Sequence, residues 1–441
     1  MSSASGISFS GLGSGIDTAT IVSQLMSLER QPITNIQRDK TKVQSRQGVV
    51  QEINTLLKTL RDKALALKDG ASFAIKTASS TDATVATALA DATAAKGAYN
   101  LTVTALSKAH TQASVASPVI SADTLHLTVG TTTANVALTG TETLQQVADK
   151  INGAADTPVA ASVVNNKLVL ISKTTGAAGA MTVTSDGGLA GALGLGTTQP
   201  GQDAGVTVNG LPVTASGNTV TGAIAGVTLT LTKEGTTTVN VGLDGAKIEG
   251  KVKEFVDAYN SLIDNLSRAT KYDIATKTKG TLQGDQTMQS LMGQLRGIAS
   301  SAVTGLPSAY DSLAQIGVTT ATDRSGKLVI NSTTLQNALS ADASAVANVF
   351  GKDDGVAGSG PGDGIAFQLH ALSDTISKDV LATRLTGFTD QLSRMDKKIA
   401  DLEVVMGLKE KRLRSQFTAM ETAISNFRSQ GADLAARLGT A

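Results

Sequence analysis

The sequence predicts an α+β multidomain chain whose helical ends enclose a β-rich middle. Three observations predict it. Apolar residues recur every seven positions near both ends, the signature of helices that pack along a seam. Between about Lys76 and Asp244, apolar and hydroxyl residues alternate with period two, as in half-buried strands. Charge follows the same division, being sparse in the middle and richer at the ends.

The elements follow in order. Asp17 is suited to cap a helix from Thr18, since its carboxylate can accept an orphan backbone N–H. Ile21, Leu25 and Leu28 then fall at helical spacing, and Pro32 predicts a break near Gln31. A second row runs Ile36, Val43, Val50, Leu57 and Ala64, joined by Ile53, Leu60 and Leu67, until Gly70 stops it. In the middle, Tyr99 to Leu106, Thr124 to Val129 and Val227 to Thr232 alternate as strands. Asn165-Asn166 and Asn209-Gly210 read as hairpin turns, and Leu144 to Ile151 as a short amphipathic helix. One or two small β-rich domains account for this stretch.

Helical patterns return with Val252, Phe255, Val256, Tyr259, Leu262, Ile263 and Leu266, and again with Met288, Leu291, Met292, Leu295 and Ile298. A hairpin is predicted around Asp323 to Gly326, and a loop over Gly351 to Gly364. Finally Leu392, Ile399, Met406, Leu413, Met420, Phe427 and Leu434 repeat every seven residues. Their companions shift from Met395 and Leu402 to Phe417, Ile424 and Leu438, as a helix of 3.6 residues per turn drifts against a strict heptad. Lys409 and Gly431 interrupt the companion row. A free helix would leave this stripe in water, and the N-terminal helix is its natural partner.

At 441 residues the chain has length for about three or four domains. Aromatic residues make up only 3%, so its cores are lean and gain from assembly. A net charge of +1 excludes the basic footprint of a nucleic-acid binder. There is no Cys, hence no disulfide framework and no thiolate chemistry. No apolar run is long enough to insert in a membrane, and Met1 to Ser10 lacks the pattern of a cleaved signal peptide.

Chemistry-bearing constellations are weak. Gly11-Leu-Gly13-Ser-Gly15-Ile16 has Ile where the dinucleotide fingerprint needs Gly. His110, His126 and His370 stand far apart, with no ligand-spaced partner. Asp353-Asp354-Gly355 and Asp363-Gly364 lack the donor spacing of a calcium loop and read as solvated turn acids. No catalytic, cofactor or metal residues are expected, and the chain is not expected to be an enzyme. The basic cluster Lys409 to Arg414 is either a solvated coil flank or an electrostatic contact.

Taken together, the two ends resemble a known family. Gly11-Leu-Gly-Ser-Gly-Ile-Asp-Thr, Ile21-Val-Ser-Gln-Leu-Met and Glu29-Arg-Gln-Pro-Ile are similar to the N-terminal signature of the flagellar filament cap family. Gln416-Phe-Thr-Ala-Met-Glu-Thr-Ala-Ile and Ser429-Gln are similar to its C-terminal signature. Phe255 to Ile263, Leu282-Gln-Gly-Asp, Ile316-Gly-Val-Thr and Gly326-Lys-Leu also match, and Thr143 to Asn152 resembles an insertion motif of flagellar axial proteins. Arg414-Ser415 and Asp433-Leu434 depart from the family pattern.

The resemblance implies a secreted protein at the flagellar tip, exported by the flagellar type III apparatus without a cleaved signal. It implies a ring-shaped homo-oligomer that retains flagellin and promotes its folding and insertion. An export chaperone is a further expected partner, and host glycans are the ligand of the adhesin alternative. A filament or junction subunit and a surface adhesin are the alternatives. The expected domains are a terminal coiled coil (residues 1–42 and 403–441), a helical leg (43–75 and 246–402), a β-rich head (76–117 and 201–245) and an inserted β-rich head (118–200). The interaction residues expected on the terminal helices are Ile21, Leu25, Leu28, Leu413, Phe417, Met420, Ile424, Phe427 and Leu434.

Overall fold

The computed structural model describes residues 17–273, 277–356 and 359–438. Helix α1 spans Thr18–Glu29 and is capped by Asp17, whose carboxylate accepts from the Thr20 N–H at 3.0 Å. Arg30 separates it from α2, Gln31–Lys68, with Pro32 in the first turn where its missing N–H costs nothing. Strands β1 (Lys76–Ser80), β2 (Ala86–Ala90), β3 (Gly97–Ala105), β4 (Ala109–Ala113), β5 (Ala122–Val129) and β6 (Thr132–Thr139) follow. Then come α3 (Leu144–Gly153), β7 (Val159–Val164), β8 (Lys167–Thr175), β9 (Met181–Ser185), α4 (Leu189–Leu193) and β10 (Gly196–Gln199). The β-rich part closes with β11 (Ala204–Val208), β12 (Leu211–Ala215), β13 (Thr219–Ile224), β14 (Val227–Leu231) and β15 (Gly235–Leu243). Helices return as α5 (Gly245–Thr270), α6 (Gln286–Ser300), α7 (Ser332–Gly351), α8 (Ile365–Thr375) and α9 (Ala382–Leu438). Two short hairpins, over 272–279 and 318–330, lie among them. This is the predicted α+β order of helical ends around sheets.

The chain forms two compact units, Met1–Asp69 with Lys251–Leu335 and Ala345–Ala441, and Gly70–Gly250 with Gln336–Ser344. In the helical unit, the heptad row of α2 is its core. Val43, Val50, Ile53, Leu57, Leu60, Ala64 and Leu67 are all buried, each large one contributing about 1.5–3 kcal/mol. They pack α2 against α8 and α9. The register is antiparallel, with Gln47 Nε2 donating to Thr389 at 3.1 Å, Ser377 Oγ donating to Asn54 at 2.7 Å and Arg61 paired with Asp374 at 3.3 Å. Helix α5 buries every apolar residue predicted for it. Phe255 meets Phe350 of α7 edge-on at 6.0 Å. Asn260 bonds both the N–H and the C=O of Leu328 at 2.7 and 2.8 Å, stitching the 318–330 hairpin to α5.

The β-rich unit has two cores. In the first, the sheet β1-β15-β3-β11-β12 packs on the sheet β13-β14-β2 as an antiparallel sandwich around Leu101, Val103, Val206, Leu229 and Val239. In the second, the sheets β10-β4-β8-β7 and β6-β5-β9, with α3 and α4, enclose Leu125, Leu127, Ile151, Leu168 and Leu193. Asn165 and Asn166 both have positive φ (49° and 58°), as do Asn209 and Gly210 (50° and 83°), the mirror-image turn that matches strand twist. Thr143 and Gln146 form a capping box on α3. Where the second core leaves the first, Lys108 and Gln202 exchange backbone hydrogen bonds at 2.8 and 3.1 Å, so the insertion departs and returns across a single antiparallel bridge.

Asp123, at the start of β5, ties the second core. Its carboxylate accepts from the N–H groups of Leu189 (2.9 Å), Gly187 (2.7 Å) and Thr124 (2.8 Å). The Leu189 N–H leads the effects that hold its pKa down at about 2, below the ordinary 3.8. A carboxyl depressed on folding stabilises above its unfolded pKa, and that contribution is lost as pH falls through the folded value. The β-rich unit is therefore expected to melt progressively earlier between pH 3.8 and about 2. Asp123→Asn should flatten that slope in calorimetry of the full chain; an unchanged slope contradicts the assignment.

Candidate functional site

The predicted functional surface is the pair of terminal helices. On α1, Thr18, Val22 and Met26 lie buried on one face, followed by Ile33 in the first turn of α2. Opposite them on α9 stand Met406, also buried, and the half-buried Ile399, Leu402, Leu413 and Phe417. Lys409, which interrupts the α9 row, reaches across to Glu29 at 2.6 Å. Both partners are about two-fifths exposed, so the pair adds at most about 1 kcal/mol. Its effect is on register.

The seam fades along α9. In the seven-residue row, Leu392 and Ile399 are half-buried, Met406 is buried and Leu413 is half-buried. Met420, Phe427 and Leu434 are then 37%, 73% and 61% exposed. Ile424, like Phe417, is half-buried. Of the residues expected on α1, Ile21 is half-buried, while Leu25 and Leu28 are 42% and 62% exposed. Apolar residues occupy positions 21, 22, 25, 26 and 28 of that helix, more than one seam can use. Packing on α9 selects Val22 and Met26, while Ile21 is only half covered and Leu25 and Leu28 face solvent. Gly11 to Ile16 lies outside the described residues, as does the side chain of Leu438.

Two features of the helical unit had no sequence signal that found them. Val404, Val405 and Leu408 are exposed on the side of α9 away from Met406; their apolar spacing off the main row is the only trace. Asp285 caps α6 through the Met288 N–H at 3.2 Å and also receives the guanidinium of Arg384 from α9. Burial pushes its carboxyl up, but Arg384 and the cap donors outweigh that and hold it below the usual range. Helices α7 and α8 were likewise not foreseen.

The acidic loop and the histidines singled out in the sequence serve the fold around them. The carboxylate oxygens of Asp353, Asp354 and Asp363 lie within 4.8 Å of one another. Asp363 accepts from the Asp354 and Gly360 N–H groups at 3.0 and 2.9 Å, and Asp353 and Asp354 accept from Gly355 and Val356, so these acids brace their own loop. His110 accepts the Met181 N–H at 2.8 Å, and His126 sits between Asn135 and Asp186 on the polar side of β5. What the terminal helices offer is apolar contact along a helix face.

Comparison with known proteins agrees with this architecture. The model for the C-terminus of flagellar hook-associated protein 2 matches residues 201–429, and that for its N-terminus matches residues 14–110. A flagellin hook IN motif matches residues 124–174. The chain is 27% identical to flagellar hook-associated protein 2 of Escherichia coli K12, over 96% of each chain. It is 34% identical to that of Salmonella typhimurium over 49% of this chain and 51% of the relative. The D1-D2-D3 domains of the flagellar cap protein FliD from Escherichia coli superpose with a TM-score of 0.60 at 28% identity, covering 77% of this chain and 99% of theirs.

The seam carries a specific expectation. Met26→Ala empties a buried contact between α1 and α9 and should weaken docking of α1 by about 2–3 kcal/mol. Amide hydrogen exchange across Thr18–Glu29 should accelerate while that of α5 does not change. Equal protection in both proteins contradicts the seam.

Proposed function

The chain belongs to the flagellar hook-associated protein 2 family, and on that basis we propose that it is a flagellar filament cap. Copies form a ring at the filament tip, retain exported flagellin and promote its folding and insertion. The likeness to the Escherichia coli cap protein carries this reading. The exposed apolar stripe of α9 supports a physical account of it. A helix face left in water is a cost for a monomer, yet it is useful where the partner is a vacant subunit site at the end of a polymer.

In this account the terminal segments, 1–42 and 403–441, engage the filament end, and segments 43–75 and 246–402 form the leg. The sandwich and the inserted core form the two heads; β4 joins the inserted sheet, so the exchange between them falls at Lys108 and Gln202 and not at the expected 117 and 201. The docking residues are Ile21, Leu25 and Leu28 on α1, with Leu413, Phe417, Met420, Ile424, Phe427 and Leu434 on α9. Because the seam weakens toward Leu434, docking there is reversible, as a cap that steps with each added subunit requires. Capping calls for positioning and exclusion, not covalent chemistry. Export through the flagellar type III apparatus, and escort by an export chaperone, complete the proposal. The filament-subunit and adhesin readings are not favoured.

Two measurements test it. Ile424→Asp places a charge on the docking stripe and should shorten filaments and reduce motility, while the β-rich unit melts as before. Deletion of the gene should release unpolymerised flagellin into the medium. Normal filaments with no released flagellin refute the cap function.

A further inference from the structure

The sandwich of the β-rich unit has an unusual surface. Across its eight strands the only charged residue is Lys76, the first residue of β1. All other charges of that sandwich stand at turns and strand ends, as with Asp82, Asp91, Lys96 and Lys233. Both outer faces share this property. On the three-stranded sheet, Thr87, Thr230 and Thr219 stand in one cross-strand row, and Leu89, Thr228 and Thr221 in the next. Leu89 is 75% exposed. On the five-stranded sheet, Thr77, Ser79, Asn240, Ala98, Asn100, Pro212 and Thr214 point outward and are exposed.

Solvated sheet faces ordinarily carry Lys, Glu, Asp and Arg. Depletion of charge is what sets the centre of a protein–protein interface apart from ordinary surface. A face of methyls and hydroxyls pairs with another of the same kind at little desolvation cost, because hydroxyls can both donate and accept. A charged partner stranded on it would be penalised. Since one sandwich carries two such faces, the chain holds both halves of a repeating contact. Heterologous contacts of that type close into rings when the rotation permits.

We propose that neighbouring copies stack through these faces, the three-stranded face of one sandwich on the five-stranded face of the next. The proposal rests on the ring reading above and names the surfaces that make it. Three strands about 4.8 Å apart and about five residues long present a face of roughly 14 by 17 Å. That is well below the roughly 800 Å² per partner of a stable interface. Each contact is therefore weak alone, and assembly rises with concentration.

The absence of Cys in the chain permits a direct test on the full-length protein. Copies carrying Thr230→Cys, on the central strand of the small sheet, are mixed with copies carrying Asn240→Cys, on β15, and oxidised across a range of concentrations. Mixed cross-linked dimers should exceed either like pair about tenfold, and a chain with both substitutions should give a ladder of multimers. A Lys173→Cys control, outside the sandwich, should give no ladder. Thr230→Lys should weaken self-association about tenfold or more by sedimentation, and Thr230→Ser should not, with melting unchanged in both. Thr230→Cys copies that pair chiefly with themselves, or cross-linking no better than the control, overturn the proposal. If the unmodified chain assembles without the mixed cross-link, only the choice of faces fails. If it stays monomeric at every concentration, the ring reading fails with it.

Discussion

The helical unit depends on the burial of one face of α2. Val50, Ile53, Leu57, Leu60, Ala64 and Leu67 are essentially inaccessible to water, and they bring α2 against α8 and α9 in a single antiparallel register. That register delivers everything else in the unit. It sets Gln47 opposite Thr389 and Asn54 opposite Ser377, and it aims the far end of α9 along α1. Because α1 joins the N-terminal end of α2 across a break at Arg30, its position is inherited from the same packing. The seam of Val22, Met26 and Met406 is the last stretch of a contact that begins at Leu67.

Viewed this way, the decline of burial along α9 has a physical meaning. A helix of 57 residues is roughly 85 Å long at 1.5 Å per residue, far longer than α1, which has 12. The apolar row outlasts its described partner. Apolar area is favourable to cover wherever a partner supplies the complement, so an incomplete seam is a binding surface built from the same residues that build the fold. The β-rich unit reaches a comparable end by different means. With few aromatics, it uses Val, Leu and Ala inside and Thr outside, and its sandwich keeps charge off the sheet faces. In both units the chain carries surface suited to other molecules as well as to itself.

The heptad rows and the two-residue alternation were legible because burial imposes its period directly on residue type. The turns at Asn165-Asn166 and Asn209-Gly210 were legible because few residues tolerate positive φ. Helices α7 and α8 were less so. The first bends at Asp342, whose backbone leaves the helical region, and its apolar residues do not keep one simple stripe. The pairing of Asp285 with Arg384 joins residues 99 positions apart, and nothing local in either segment announces it. On α1, the expectation centred on Ile21, Leu25 and Leu28, whereas Val22 and Met26 occupy the seam. A helix with apolar residues on most of its circumference does not disclose which side will be covered.

By itself, then, the sequence determined the order of helical and β-rich regions, the break just before Pro32, the hairpin turns and the presence of terminal apolar rows needing partners. These are local consequences of period, capping and backbone preference. Only the tertiary structure decided which side of α1 meets α9, where along α9 the cover ends, how Lys409 is used, and that both faces of the sandwich are free of charge. Those outcomes depend on contacts between distant segments, whose geometry is set by packing as a whole and by no single stretch of residues.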